Sequence, residues 1–316
     1  MPVLIASILL LGGMALVVWG AERFTDGAIR TATRFGLSTF YVGAVVSGFE
    51  PENLVTGGAA AMGNLPQIAL GTVVGSAVFM LTGGLGASLI LVPMEVRIPR
   101  AGGLAMVASL ILFTMFVWPD GTVSRVEGVC LVLVAVGLMV WLYRASPLFK
   151  REGEEGDESR DAVKQSGVRV LALLLVGVGV MVAGAGLVVQ GVRGLLTSVR
   201  LSETFLGMAV VGMGESLEET ARMVTPARRG HPELAWGNVV GTTVVLLTFN
   251  LGVIALLRPV VADPLVLRFH VPYLAFCTLV VAAVLLRGRK VGRRTGAFLV
   301  ALYLLYLAVN LTHMWA

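Results

Sequence analysis

Long apolar runs separated by short polar clusters dominate the chain from its first residues to its last. Crossing about 30 Å of hydrocarbon takes about 20 residues of α-helix. Applied along the chain, that rule predicts ten spans, at 3–21, 38–62, 67–92, 101–118, 126–143, 168–192, 203–226, 233–257, 271–286 and 295–312. Spans 2 and 7 are interrupted by glycine and carboxylates, so hydropathy alone undercounts them. The longest polar stretch, 144–166, divides the chain into two halves of five spans, 1–143 and 167–316. Its acidic cluster Glu152, Glu154, Glu155, Asp157 and Glu158 has the composition of a solvated linker, too polar to pack a core.

Composition supports lipid as the solvent. The chain has 316 residues, of which 57% are hydrophobic and only 14% charged, with a mean hydropathy of +0.89. Globular domains carry about 25% charged residues, and this chain has too few to cover a water-facing surface. The fold class that follows is an all-α polytopic membrane protein. A net charge of +5 is compatible with nucleic acid, but the basic residues form loop clusters rather than a stripe with interleaved aromatics, which excludes that partner. Cys130 and Cys277 both sit in apolar runs and are expected to be packed in apolar surroundings. The apolar N-terminus reads as a first span rather than a removable signal.

Loop charge then predicts an orientation. The loops after spans 1, 3, 5, 7 and 9, counted with the flanking helical turns, hold 19 of the 24 basic residues. The other side keeps only Arg125, Arg193, Arg200, Arg258 and Arg268. Cytoplasmic loops are enriched in Lys and Arg, so segment 144–166 is expected in the cytoplasm and both termini outside, in a cell (inner) membrane.

The two halves also repeat. Leu37–Gly43 and Leu201–Gly207 share the pattern LS-x-x-[YF]-[VL]-G, 164 residues apart. Each copy continues into a broken acidic segment, a Pro-containing loop and G-x-VVG-[ST], at Gly71–Ser76 and Gly237–Thr242. Five spans per half place the second copy upside down relative to the first. Inverted repeats with interrupted helices mark many secondary transporters, with the substrate site at the repeat interface near the membrane midplane.

Glu50 and Glu52 lie midway in span 2; Glu215, Glu218 and Glu219 lie in span 7. A carboxylate at the bilayer centre costs about 2.5–3.5 kcal/mol on insertion scales, so five at similar depth need a purpose. Pro51 and Gly48 favour a helix break beside the first pair. Hard oxygen donors on unwound backbone suit calcium, and sodium less tightly. The structural alternative is pairing with arginine or capping of half-helices. No basic residue lies within a turn of Glu50 or Glu52, but Arg222 follows Glu218 by four and Glu219 by three. Thr72 with Ser76, and Asn238 with Thr242, stand four apart beside the acidic segments. Gly71-x-x-x-Gly75 and Gly237-x-x-x-Gly241 there are also packing motifs that need no ligand.

At these residues the chain resembles the calcium/cation antiporters, which include the sodium/calcium exchangers. That family carries two inverted repeats, each with G-T-S-x-P-E followed by G-N-x-x-G-S-N-x-x-N. The second copy here runs Gly214, Glu215, Ser216, Leu217, Glu218, Glu219, then Gly237, Asn238, Gly241, Thr242; the first offers Pro51-Glu52, then Gly71, Thr72, Gly75, Ser76. The stretch Asp26–Ser38 is similar to the family's lead-in. The resemblance implies Glu52 and Glu219 as central cation-binding carboxylates, with Ser76, Thr242 and Ser216 as supporting oxygens. The full candidate set is Glu50, Glu52, Glu215, Glu219, Thr72, Ser76, Ser216, Asn238 and Thr242. Departures stand beside it: Met80 and Leu246 replace polar family positions, and Glu50 and Glu215 are added carboxylates. The implied function is a secondary antiporter exchanging Ca2+ for Na+ or H+ by alternating access, with no cofactor, inorganic cations as partners, and a monomer as the working unit in the lipid bilayer. An H+-coupled or Mg2+ transporter is the alternative within the class, and a cation channel outside it. An enzyme is disfavoured because no nucleophile–base pair is visible: His231, His270 and His313 fall in loops or at the terminus.

Overall fold

The computed structural model describes residues 1–34, 50–96, 98, 100–145, 167–228, 230, 232–288 and 290–314. Most of linker 144–166 and the first half of span 2 therefore lie outside the described residues. The elements are α1 (Val3–Arg34), α2 (Pro51–Met62), α3 (Pro66–Leu91), β1 (Met94–Glu95), α4 (Arg100–Val117), β2 (Thr122–Val123), α5 (Arg125–Ala145) and α6 (Gly167–Ser198). They continue as α7 (203–215), α8 (Leu217–Arg228), α9 (Pro232–Leu257), β3 (Val260–Val261), α10 (Val266–Arg287), β4 (Lys290–Val291) and α11 (Arg293–Thr312).

Among the described residues, eight helices are long and apolar enough to cross a membrane: α1, α3, α4, α5, α6, α9, α10 and α11. The expected span 7 is present but broken at Ser216 into α7 and α8, each too short to cross a membrane alone. Of span 2 only α2 is described. The other predicted spans match within a few residues at most ends. Two exceptions have one cause: α1 runs on to Arg34 rather than ending near 21, and α6 runs to Ser198 rather than 192. Hydropathy marks where lipid ends, whereas the helical hydrogen-bond ladder continues through polar residues.

Burial sorts the helices into a core and a shell. Every residue in the apolar window of α3 is buried, and 78% in α9, against 22% in α5 and 33% in α1. The shell helices turn Leu11, Ile111, Leu133, Leu175 and Leu304 outward, which is the expected surface of a protein whose solvent is hydrocarbon. Cys130 belongs to that shell and is exposed, contrary to the expected packing; an apolar run in lipid need not be covered by protein. Cys277 is buried.

Small residues set how closely the core helices approach. A Cβ on Gly71 would overlap the backbone of Gly207, so α3 and α7 cross with their main chains in contact. The π-helical turns Gly71–Gly75 and Leu206–Val211 coincide with that crossing. In the shell, α1 and α6 pack along much of their length; a Cβ on Gly13 would stand 2.7 Å from the Gly184 carbonyl oxygen. Close backbone approach through small residues is how helices associate where lipid removes the hydrophobic drive.

Two short antiparallel ladders tie the halves together outside the helices. β1 pairs with β4 through Met94–Val291 and Glu95–Lys290. β2 pairs with β3 through Thr122–Val261 and Val123–Val260. Beside the second ladder, Glu203 accepts from the backbone nitrogens of Gln67 (2.6 Å) and Ile68 (3.4 Å), capping α3 from the opposite half. An anionic group at a helix N-terminus satisfies orphan donors and complements the helix dipole.

Candidate functional site

The site forms where two breaks face each other. The first precedes α2. Glu50 adopts the left-handed region (φ 48°, ψ 59°), and Pro51 takes the first helical position. Proline is pre-set for that place because its missing N–H would be unpaired there anyway. A non-glycine residue in this region costs about 1–2 kcal/mol, and the surroundings offset it. Thr242 donates to Glu50 Oε1 (3.0 Å) and Asn53 to Oε2 (3.0 Å), while Asn250 donates to the Glu50 carbonyl (3.3 Å). The second break lies at Ser216, with φ −98° and ψ 4°, between α7 and α8. No proline is needed there. The turn carries Glu215 on one side and Glu219 on the other, with Ser216 buried between them.

Three carboxylates meet in the space so formed. One oxygen each from Glu50, Glu52 and Glu219 lie within 4.8 Å of one another, and all three residues are fully buried. Calcium–oxygen distances are about 2.3–2.6 Å, so ligands on opposite sides of one ion stand about 5 Å apart. The spacing therefore suits a single hard cation. Among the described residues, Glu52 makes no hydrogen bond with either oxygen.

The other sequence candidates divide by contact. Asn238 donates to Glu219 Oε2 and Thr242 to Glu50 Oε1, so both touch carboxylates of the cluster. Ser76 reaches it at one remove, donating to Asn53 Oδ1 (2.7 Å), the residue that holds Glu50, and approaching the Gly212 carbonyl (3.1 Å). Thr72 does not reach it; its hydroxyl bonds the Ala69 carbonyl of its own helix (2.9 Å). Glu215 is fully buried beside Thr56. The side chain of Glu218 lies outside those described.

Arg222 changes the picture most. Counted by sequence among the loop charges, it extends into the cluster instead. Its Nη1 lies 2.5 Å from Glu219 Oε1 and 3.5 Å from Glu50 Oε1, and its Nη2 lies 3.7 Å from Glu52 Oε1. The expectation that Glu50 and Glu52 have no basic neighbour holds along the chain but not in space, since the partner comes from the other half. Arg222 sits one helical turn after Glu219, and that i, i+3 spacing was the only signal of it. Asn53, Thr56 and Asn250 carried no signal, because nothing in their local pattern distinguishes them from packed polar residues.

One more expectation is corrected. His270 is not in a loop; it lies within α10, fully buried, with Nδ1 2.9 Å from the Tyr306 hydroxyl. It packs among Phe269, Tyr273 and Tyr306 and belongs to a structural aromatic cluster.

Known proteins place this geometry in a family. A profile described as "Sodium/calcium exchanger protein" matches residues 5–144 and 169–312. The inner membrane protein YrbG of Escherichia coli (strain K12) is 27% identical, over 96% of this chain and 97% of that protein. The sodium/calcium exchanger MaX1 of Methanosarcina acetivorans is 22% identical over 96% of this chain and 97% of its own length. Among solved structures, the sodium-calcium exchanger NCX_Mj soaked with Na+ and Sr2+ superposes with a TM-score of 0.65 at 25% identity, covering 97% of this chain and 99% of that one. That family is one of ion-exchanging transporters rather than enzymes. The chain is a multi-pass membrane protein and a member of the sodium/calcium exchanger protein family.

Proposed function

We propose that the chain exchanges Ca2+ for Na+ or H+ across the cell membrane by alternating access, with the cation held by Glu50, Glu52 and Glu219 and supported by Asn238, Thr242 and Ser76. The observation that carries this is the meeting of three fully buried carboxylates, two from one half and one from the other, within the span of a single calcium shell. A site built from both halves is exposed to one side or the other as they shift, which couples binding to access. The names of MaX1 and NCX_Mj, both sodium/calcium exchangers, favour calcium as cargo. Glu215, a fully buried carboxyl apart from the three-carboxylate group, is what keeps H+ beside Na+ as counter-ion, because it suits a group that takes up and releases a proton.

In the same reading the chain crosses the membrane ten times, in two five-span halves of opposite orientation, 1–143 and 167–316. The linker 144–166 faces the cytoplasm, both termini face out, and one copy works alone in the lipid. The crossed ladders support it. The strand following α3 pairs between the last two helices of the second half, and the strand following α9 pairs between the last two of the first. α1 and α6, packed on each other outside the core, are placed to slide against it.

Calcium-45 uptake into proteoliposomes under imposed Na+ or H+ gradients tests the exchange. Uptake is expected with one of the two gradients and to be abolished by Glu52→Gln. Uptake that is independent of both gradients would leave a channel in place of the exchanger.

A further inference from the structure

The cation cluster contains a positive charge that belongs to the protein. Arg222 belongs to α8, one turn after Glu219, and its guanidinium reaches across to the first half. Its side chain retains 21% of its surface exposed while the three carboxylates retain none, so it enters the cluster from the cluster's accessible end. Its Nη1 stands against the Oε1 atoms of Glu219 and Glu50, and its Nη2 against Glu52. All three candidate ligands therefore turn an oxygen toward one guanidinium. An ion bound to those oxygens at about 2.3–2.6 Å would occupy the space in which the Arg222 nitrogens lie.

Resting on the exchange function above, we propose that Arg222 is a tethered cation that competes with the transported ion for these carboxylates. Guanidinium does not lose its proton in proteins, so this competitor is never switched off by deprotonation and can only be displaced. A divalent ion, with twice the charge at the same oxygens, displaces it at lower concentration than a monovalent ion does. Because the side chain must leave before either binds, Arg222 lowers the apparent affinity for both by the same factor and covers the cluster when no ion is bound. A merely structural arginine would instead hold the carboxylates in place, and its loss would weaken binding.

The experiment uses the full-length protein in detergent, with equilibrium binding of calcium-45 and its competition by Na+ for wild type, Arg222→Gln and Arg222→Lys. Arg222→Gln is expected to bind Ca2+ about tenfold more tightly or better, with the apparent affinity for Na+ rising by a similar factor, while Arg222→Lys stays close to wild type. In parallel, modification of Arg222 by phenylglyoxal in the wild-type protein, read by mass spectrometry, is expected to rise when Ca2+ is added, because the displaced side chain becomes accessible. Binding that is unchanged or weaker in Arg222→Gln, with wild type still binding, overturns the competition and leaves the exchanger reading standing. Modification that falls or stays level with Ca2+ overturns displacement. Absence of saturable Ca2+ binding in all three proteins removes the cation site itself, and both proposals with it.

Discussion

The two acidic segments are copies by sequence and unequal in space. In the first, a left-handed Glu50 and Pro51 open the chain, and Glu50, Glu52 and Asn53 point into one cluster. In the second, the helix breaks at Ser216 without proline, sends Glu219 into the cluster, leaves Glu215 apart from it, and supplies Arg222. The same inequality runs through the partner helices. Asn238 and Thr242 of α9 bond the glutamates directly, while the matching Thr72 and Ser76 of α3 bond their own helix and Asn53. Repetition of sequence thus built one shared site rather than two equivalent ones: the first half presents two of the three carboxylates, and the second adds Glu219, two donors and a cation.

The largest expected effect separates the two central glutamates. Glu52→Gln and Glu219→Gln should both abolish exchange, but they should differ in stability. Glu219 holds Arg222 and Asn238 through hydrogen bonds, so its loss costs about 1.5–3 kcal/mol. Among the described residues Glu52 accepts none, with Arg222 Nη2 at 3.7 Å and two carboxylates beside it, so Glu52→Gln should cost less stability than Glu219→Gln. Thermal unfolding in detergent checks this, and equal destabilisation by the two would erase the distinction between the halves.

A smaller effect compares threonines at the two copies. Thr242→Val removes a donor to Glu50, worth about 1 kcal/mol, or about fivefold in apparent Ca2+ affinity. Ser76→Ala acts only through Asn53 and should cost less. Thr72→Val should change affinity least of the three, since its hydroxyl is spent on Ala69. Binding titrations of the three variants in parallel rank them, and a Thr72 effect equal to that of Thr242 would restore symmetry to the site.

The smallest effect concerns the break itself. Pro51→Ala relaxes the unfolded chain and should lower stability by about 0.4–1 kcal/mol with the site intact. A denaturation midpoint measured beside transport checks it; loss of transport at unchanged stability would mean that the proline, not the cluster, sets the geometry of Glu50.

Much of this was legible from order along the chain. Hydrophobic run length located eight helices, most of them within a few residues, because burial in lipid acts on every residue of a span and leaves a continuous signal. The cost of intramembrane carboxylates singled out Glu50, Glu52, Glu215 and Glu219, and the repeat pointed to Asn238 and Thr242. Tertiary structure decided which of these meet. Whether a side chain four residues along a helix faces a neighbour or its own backbone depends on helix rotation, and rotation here follows the contact of α3 and α7 at Gly71 and Gly207. Arg222 shows the limit most plainly. Charge counting assigned it to a loop, because the sequence records only its neighbours along the chain. Its partnership with Glu50 and Glu52 joins residues on opposite halves, and only the packing of α2 against α7 and α9 brings the opposite charges within reach of one another.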